Sequence, residues 1–89
     1  MKHLLKMERV LKSLANRRRL AILKYIAEER ASSVNNIAGE IRLSFKATSR
    51  HLRVLAHADI LEHEQNRKYV IYRVADELPA LAKQIIKFL

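Results

Sequence analysis

Lys46, Arg50 and Arg53 recur along the stretch SFKATSRHLRVL, residues 44–55, with Ser49 among them, and from Arg42 through Ala58 the chain has no carboxylate. These side-chain types bind polyanions. An arginine guanidinium is a planar fork of donors that can pair with guanine O6 and N7, while Ser, Thr and Lys reach bases or phosphates. At about 100° per residue, Lys46, Arg50 and Arg53 share one face of a helix, and Thr48, Leu52 and Leu55 share the opposite one. An ordinary solvated face mixes signs to gain i,i+4 ion pairs. Here the outer stripe is cationic throughout, which suits a surface that meets something negative.

The whole chain leans the same way. Its 89 residues carry 18 Lys and Arg against 9 Asp and Glu, a formal charge of +9 with a pI near 10.4, so the first partner to consider is a polyanion. Hydrophobic residues make up 49% of the sequence, which excludes a disordered basic tail. There is no cysteine for a disulfide or a thiolate metal site. Catalysis has little to stand on: no glycine-rich phosphate loop, and no paired carboxylates in an apolar setting. Glu28 and Glu29 are adjacent and point to different sides of their helix. His3, His51, His57 and His63 include no i,i+4 pair that could share a metal. The N-terminal MKHLLKMERVLKSLA is broken by charges every few residues and does not read as a signal peptide. No window approaches the roughly 20 apolar residues of a spanning helix. A soluble, cytoplasmic protein with no membrane partner is expected.

Positioning that basic stripe requires a frame of helices, and one Gly and one Pro leave little room for anything but short turns. Leu4, Leu5, Val10, Leu11 and Leu14 predict a first helix over residues 2–14. Asn16 caps a second, carrying Leu20, Ile22, Leu23 and Ile26 and ending near Glu28 to Arg30. Ser32 and Ser33 offer a cap for a short third helix with Val34, Ile37, Ala38 and Ile41 inward. Ser44 caps the basic fourth helix, which runs to about His57. Beyond Asp59 the apolar period drops to two, and ILEHEQ and KYVIYRV flank Asn66 and Arg67 as a hairpin. Gln65, Asn66, Arg67 and Lys68 form its tip. A last helix is expected from near Asp76, with Pro79 in its first turn and Leu78, Leu81, Ala82, Ile85 and Leu89 as its apolar stripe. The fold class is mainly α with a small β-hairpin, ordered α-α-α-α-β-β-α over a single domain, residues 1–89. A short helix, a turn, a basic helix and a hairpin make a winged helix-turn-helix.

Two segments carry a family resemblance. LKSLANRRRLAIL, residues 11–23, is similar to the second-helix pattern A-L-A-[DN]-P-x-R-L-x-I-L of the ArsR-type winged-helix repressors, with Arg17 in place of the proline. LSFKATSRHLRVLAHADIL, residues 43–61, resembles their L-S-x-x-x-x-S-x-H-L-x-x-L-x-x-A-G-[LI]-[LV], with Asp59 in place of the glycine. The hairpin ending VIYRVAD extends the match to nearly the whole chain.

The resemblance implies a homodimeric transcriptional regulator, usually a repressor, on a two-fold symmetric operator in double-stranded DNA. On the basic helix, Ser44, Lys46, Ala47, Ser49, Arg50, His51 and Arg53 are expected to face DNA, with Arg50 as the base reader. Arg67 and Lys68 are expected on the wing. The family dimerises through its first and last helices, which here offer Leu4, Leu5, Leu11, Leu78, Leu81, Ile85 and Leu89. Many members sense metals through cysteines near the third helix or Asp and His pairs on the last one. This chain has Ser32, Ser33, Asn35 and Asn36 at the first place, and no histidine after His63 to join Asp76 and Glu77 at the second. No metal or cofactor is therefore expected, and the sequence names no effector. The competing reading is a winged-helix protein-docking module whose basic face is incidental.

Overall fold

Three side-chain caps set the helical frame. In the computed structural model, which describes all residues Met1–Leu89, helix α1 covers Lys2–Leu14 and α2 covers Arg17–Glu29. The Asn16 side chain accepts from the backbone N–H groups of Arg18 and Arg19 at 3.0 and 3.1 Å, satisfying two donors that the first turn of α2 leaves free. Helix α3, Val34–Ile41, is capped by Ser33, whose Oγ accepts from Asn36 N at 3.1 Å. Helix α4, Phe45–His57, is capped by Ser44, whose Oγ accepts from Ala47 N at 3.0 Å. The turn between α3 and α4 is tight because Arg42 takes a left-handed backbone, φ 58°, and Leu43 N returns to Ala38 O at 3.1 Å.

The expected helices over 2–14, from Asn16, from the serine pair and from Ser44 are thus present. Three details differ. A short strand β1, Ala31–Ser33, precedes α3 and was not expected. It pairs antiparallel with strand β3, Tyr69–Val74, and β3 pairs with strand β2, Leu61–Asn66, giving a sheet ordered β1-β3-β2. Three residues are too few to show a period, and the partner lies about 40 residues away, so the pairing leaves no local signal. Second, Asn66 pairs with Tyr69, which moves the hairpin turn to Arg67 and Lys68 and leaves Asn66 at the end of β2. Arg67 carries the left-handed backbone of that turn, φ 58°. Third, the last helix, α5, covers Ala80–Phe88 and starts four residues later than expected. Pro79 is its cap residue, at φ −54° and ψ 137°, and a proline drives the residue before it out of the helical region.

The core lies where α2, α3 and α4 meet the sheet. Ile22, Leu23, Ile26, Ile37, Leu52, Leu55 and Ile60 are fully buried, and Val10 and Leu14 of α1, Leu61 and Tyr72 of the sheet and Ala82 of α5 close it. Burying each large aliphatic side chain stabilises by about 1.5–3 kcal/mol. Helix α1 contributes only its C-terminal half: Val10, Ser13 and Leu14 are buried, and every residue from Met1 to Arg9 is exposed. No helix is long and apolar enough to cross a membrane.

Candidate nucleic-acid interface

On α4 the two faces separate as the helical wheel predicts. Thr48, Leu52 and Leu55 have no exposed surface at all, while Lys46, Arg50 and Arg53 are exposed and Ala47, Ser49 and His51 are half-buried. Ser44 is exposed at the N-terminus, spending its Oγ on the cap. None of the three cations on α4 is in an ion pair; the ion pairs of the chain are Lys12 with Glu8 and Arg73 with Glu62 and Glu64. The cationic face is therefore unneutralised by the protein itself.

The buried side fixes the helix in place, with one internal cost. Thr48 Oγ1 is buried without a hydrogen-bond partner on the protein.

His51 is the side chain whose setting the sequence did not disclose. Its Nδ1 lies 3.3 Å from Arg19 Nη1, and the rest of the Arg19 guanidinium donates to the carbonyls of Ser13 and Lys12. One arginine thus closes the C-terminal carbonyls of α1 and braces α4. Burial, then the charges of Arg19 and Arg18, hold the imidazole below its ordinary value of 6.5. Arg19 belongs to the family-like segment, but only the fold reveals which groups it joins.

The hairpin extends the surface. Arg67 and Lys68 are exposed at its turn, where Gln65 Nε2 donates to Arg67 O at 2.8 Å and Lys68 Nζ sits 5.5 Å from the Tyr69 ring centroid. Behind the tip, Arg73 bonds Glu62 at 3.2 Å and Glu64 at 3.4 Å across the strands. The wing's carboxylates are thereby tied up away from the tip. Across the same two strands the Tyr72 ring stacks at a tilt on His63, 5.0 Å between centroids. Burial raises the Tyr72 phenol above its ordinary 10.0, and the nearby Arg53 charge opposes that rise.

At the expected dimer surface, Leu4, Leu5, Leu11 and Leu89 are exposed, Leu4 by 57% and Leu5 by 56%. Leu78, Leu81 and Ile85 are half-buried and pack against the protein's own core. Met7 and Phe88, which the spacing argument passed over, are exposed beside them in sequence, Phe88 by 85%.

At the two places where the family resemblance points to metal ligands, the chain's side chains are hydroxyls, amides and carboxylates. Ser33 Oγ is engaged as the α3 cap and Ser32 Oγ faces Ser33 O at 3.4 Å, and hydroxyls are poor substitutes for soft thiolates. No three His, Asp or Glu side chains cluster closely enough to bind a metal ion.

Comparison with known proteins places this arrangement. A family model described as a helix-turn-helix domain matches residues 14–64, the span from the end of α1 through most of β2. No curated protein sequence is significantly similar. Among solved structures, reduced HlyU from Vibrio cholerae superposes with a TM-score of 0.82 at 28% identity, covering 99% of this chain and 88% of its own. The homodimeric winged helix-turn-helix DNA-binding domain of Mb0332 from Mycobacterium bovis, a possible ArsR-family transcriptional regulator, gives 0.84 at 26% identity over 98% and 77%. The antimony-specific transcriptional repressor AntR gives 0.76 at 25% identity over 89% and 68%. With its helix-turn-helix followed by a wing, the chain belongs to the helix-turn-helix domain family, among the ArsR-type winged helix-turn-helix transcriptional regulators.

Proposed function

We propose that this protein is a homodimeric repressor that binds a two-fold symmetric operator in double-stranded DNA and does so without the metal sites of its sensor relatives. The observation that carries the reading is the unpaired cationic face of α4, free of carboxylates from Arg42 through Ala58 and presented by a tight turn from α3. An unpaired face of one sign attracts phosphate, and the N-terminal part of a recognition helix is where side chains reach base edges in the major groove. Arg50 is assigned to bases. Lys46, Ser49 and Arg53 share bases and backbone, and Arg67 and Lys68 lie along the backbone beyond the groove.

Dimerisation is supported by the uncovered side of α1, whose Leu4, Leu5 and Leu11 face solvent in the monomer. A partner helix covering such leucines gains about 1.5–3 kcal/mol for each. The homodimeric winged helix-turn-helix domain of Mb0332 is consistent with this assembly. Two copies related by a two-fold axis would then place two α4 helices about one DNA turn, ~34 Å, apart.

Selection of bound duplexes from a random pool tests the reading. A palindromic pair of half-sites about 10 base pairs apart, centre to centre, is the expected enrichment. A pool that stays random, together with no shift of any duplex at low salt, would replace it with the protein-docking module.

A further inference from the structure

Arg17 and Arg18 stand outside the surface described so far. Both are exposed, and neither takes part in any ion pair of the chain. Their placement works against α2 itself, because the helix opens on three consecutive arginines with no acid in its first turn, where the helix dipole favours anions. The related pattern has a proline at position 17, so one of these charges is a departure of this chain. The backbone amides at this helix end are already used, since Asn16 accepts from both Arg18 N and Arg19 N. Whatever this corner binds, the side chains bind it.

Its position relative to α4 is fixed. Arg19, third in the run, turns inward to the α1 carbonyls and reaches His51 Nδ1 at 3.3 Å, which ties the start of α2 to the flank of α4. Arg17 and Arg18 then border one open groove together with His51. Glu40, Glu28 and Glu29 border the same groove, the last two further along α2. The arginines are at the end of the groove next to Asn16, three turns of helix from those two glutamates.

We propose that Arg17 and Arg18 form a backbone clamp that grips DNA phosphates beside the groove entered by α4, a contact this chain adds to the recognition helix and the wing. The inference rests on the DNA-binding reading above. A guanidinium fork pairs with phosphate oxygens by two parallel bonds and carries no base information, so the clamp adds affinity and salt dependence without sequence preference.

The test is a salt series, from 50 to 300 mM, read by fluorescence anisotropy on the selected duplex and on a random one. It compares the wild type, an Arg17→Ala/Arg18→Ala double variant and an Arg17→Lys/Arg18→Lys double variant. Loss of two phosphate contacts per protomer, four per dimer, lowers the slope of log K against log salt by about 3.6. The alanine variant is expected to show that drop equally on both duplexes, with roughly tenfold or more weaker binding at 0.1 M salt. The lysine variant is expected to keep most of the slope. An unchanged slope in the alanine variant would overturn the clamp and leave the DNA-binding reading standing. A loss confined to the selected duplex would overturn it too, since it would make these residues base readers. A wild type that binds neither duplex would instead remove the reading on which the clamp depends. Thermal melting of each variant accompanies the series, and the alanine variant is expected to melt no lower than the wild type because it loses charges that oppose the α2 dipole.

Discussion

Arg19 Nη1 lies 3.3 Å from His51 Nδ1, and the same guanidinium donates to the carbonyls of Ser13 and Lys12. An arginine has only donors, so His51 must accept at Nδ1, which puts the ring proton on Nε2. One side chain thereby joins the end of α1, the first turn of α2 and the flank of α4. Replacing Arg19 by Ala leaves three acceptors unpaired, and a loss of about 1.5–3 kcal/mol in unfolding free energy is expected from urea denaturation. Arg19→Lys recovers only part of it, because a point charge cannot serve three acceptors spread along a planar fork. Full stability in the alanine variant would show that the bracing is idle.

The depressed His51 value makes a pH prediction with a definite sign. A base whose folded value lies below 6.5 binds fewer protons folded than unfolded, so it contributes stability above 6.5 that is lost as pH falls through the folded value. The urea midpoint should therefore fall as pH drops from 7.5 to 5. His51→Asn, which keeps an acceptor for Arg19 but cannot take up a proton, should fall less steeply over the same range. Equal slopes would remove His51 as the titrating group.

Thr48 bears a hydroxyl in a fully buried site with no protein partner. Thr48→Val removes an unsatisfied polar atom at nearly constant shape, and a gain of about 1 kcal/mol is expected in denaturation. DNA binding should be unchanged, because the residue faces inward. A loss of stability would mean that the hydroxyl has a partner, such as an internal water.

The two ends of the molecule differ in how much of them can be seen in the sequence. Asn16, Ser33 and Ser44 announce their helices because capping is local chemistry, one side-chain oxygen accepting a backbone N–H two or three residues on. The division of α4 into Leu52 and Leu55 inside and Arg50 and Arg53 outside follows from a 3.6-residue period alone. Strand β1 could not be read, because Ala31–Ser33 is strand only through its pairing with Ile71–Arg73. The late start of α5 was legible in principle: Pro79 restrains Leu78 more strongly than Asp76 and Glu77 favour a helix. The Arg19–His51 contact spans 32 residues, so no window of sequence contains it.

Leu5 and Leu11 lie on α1, exposed by 56% and 50% in the monomer. A dimer of twice 10.4 kDa is expected at micromolar concentration in sedimentation equilibrium. Leu5→Glu or Leu11→Glu should weaken that dimer by 100-fold or more, since burying an unpaired carboxylate costs roughly 3 kcal/mol or more. Circular dichroism should show the helices intact, because neither leucine enters the core. A wild-type chain that stays monomeric at 100 μM would rule out the proposed assembly.

The central claim is that α4 reads DNA, and the most direct measurement is the affinity of Arg50→Ala on the selected operator and on single-base variants of it. Loss of one bidentate base contact should cost roughly 1–3 kcal/mol and flatten the preference at one position in each half-site, with the preference elsewhere retained. Binding and base preference identical to the wild type would contradict the account.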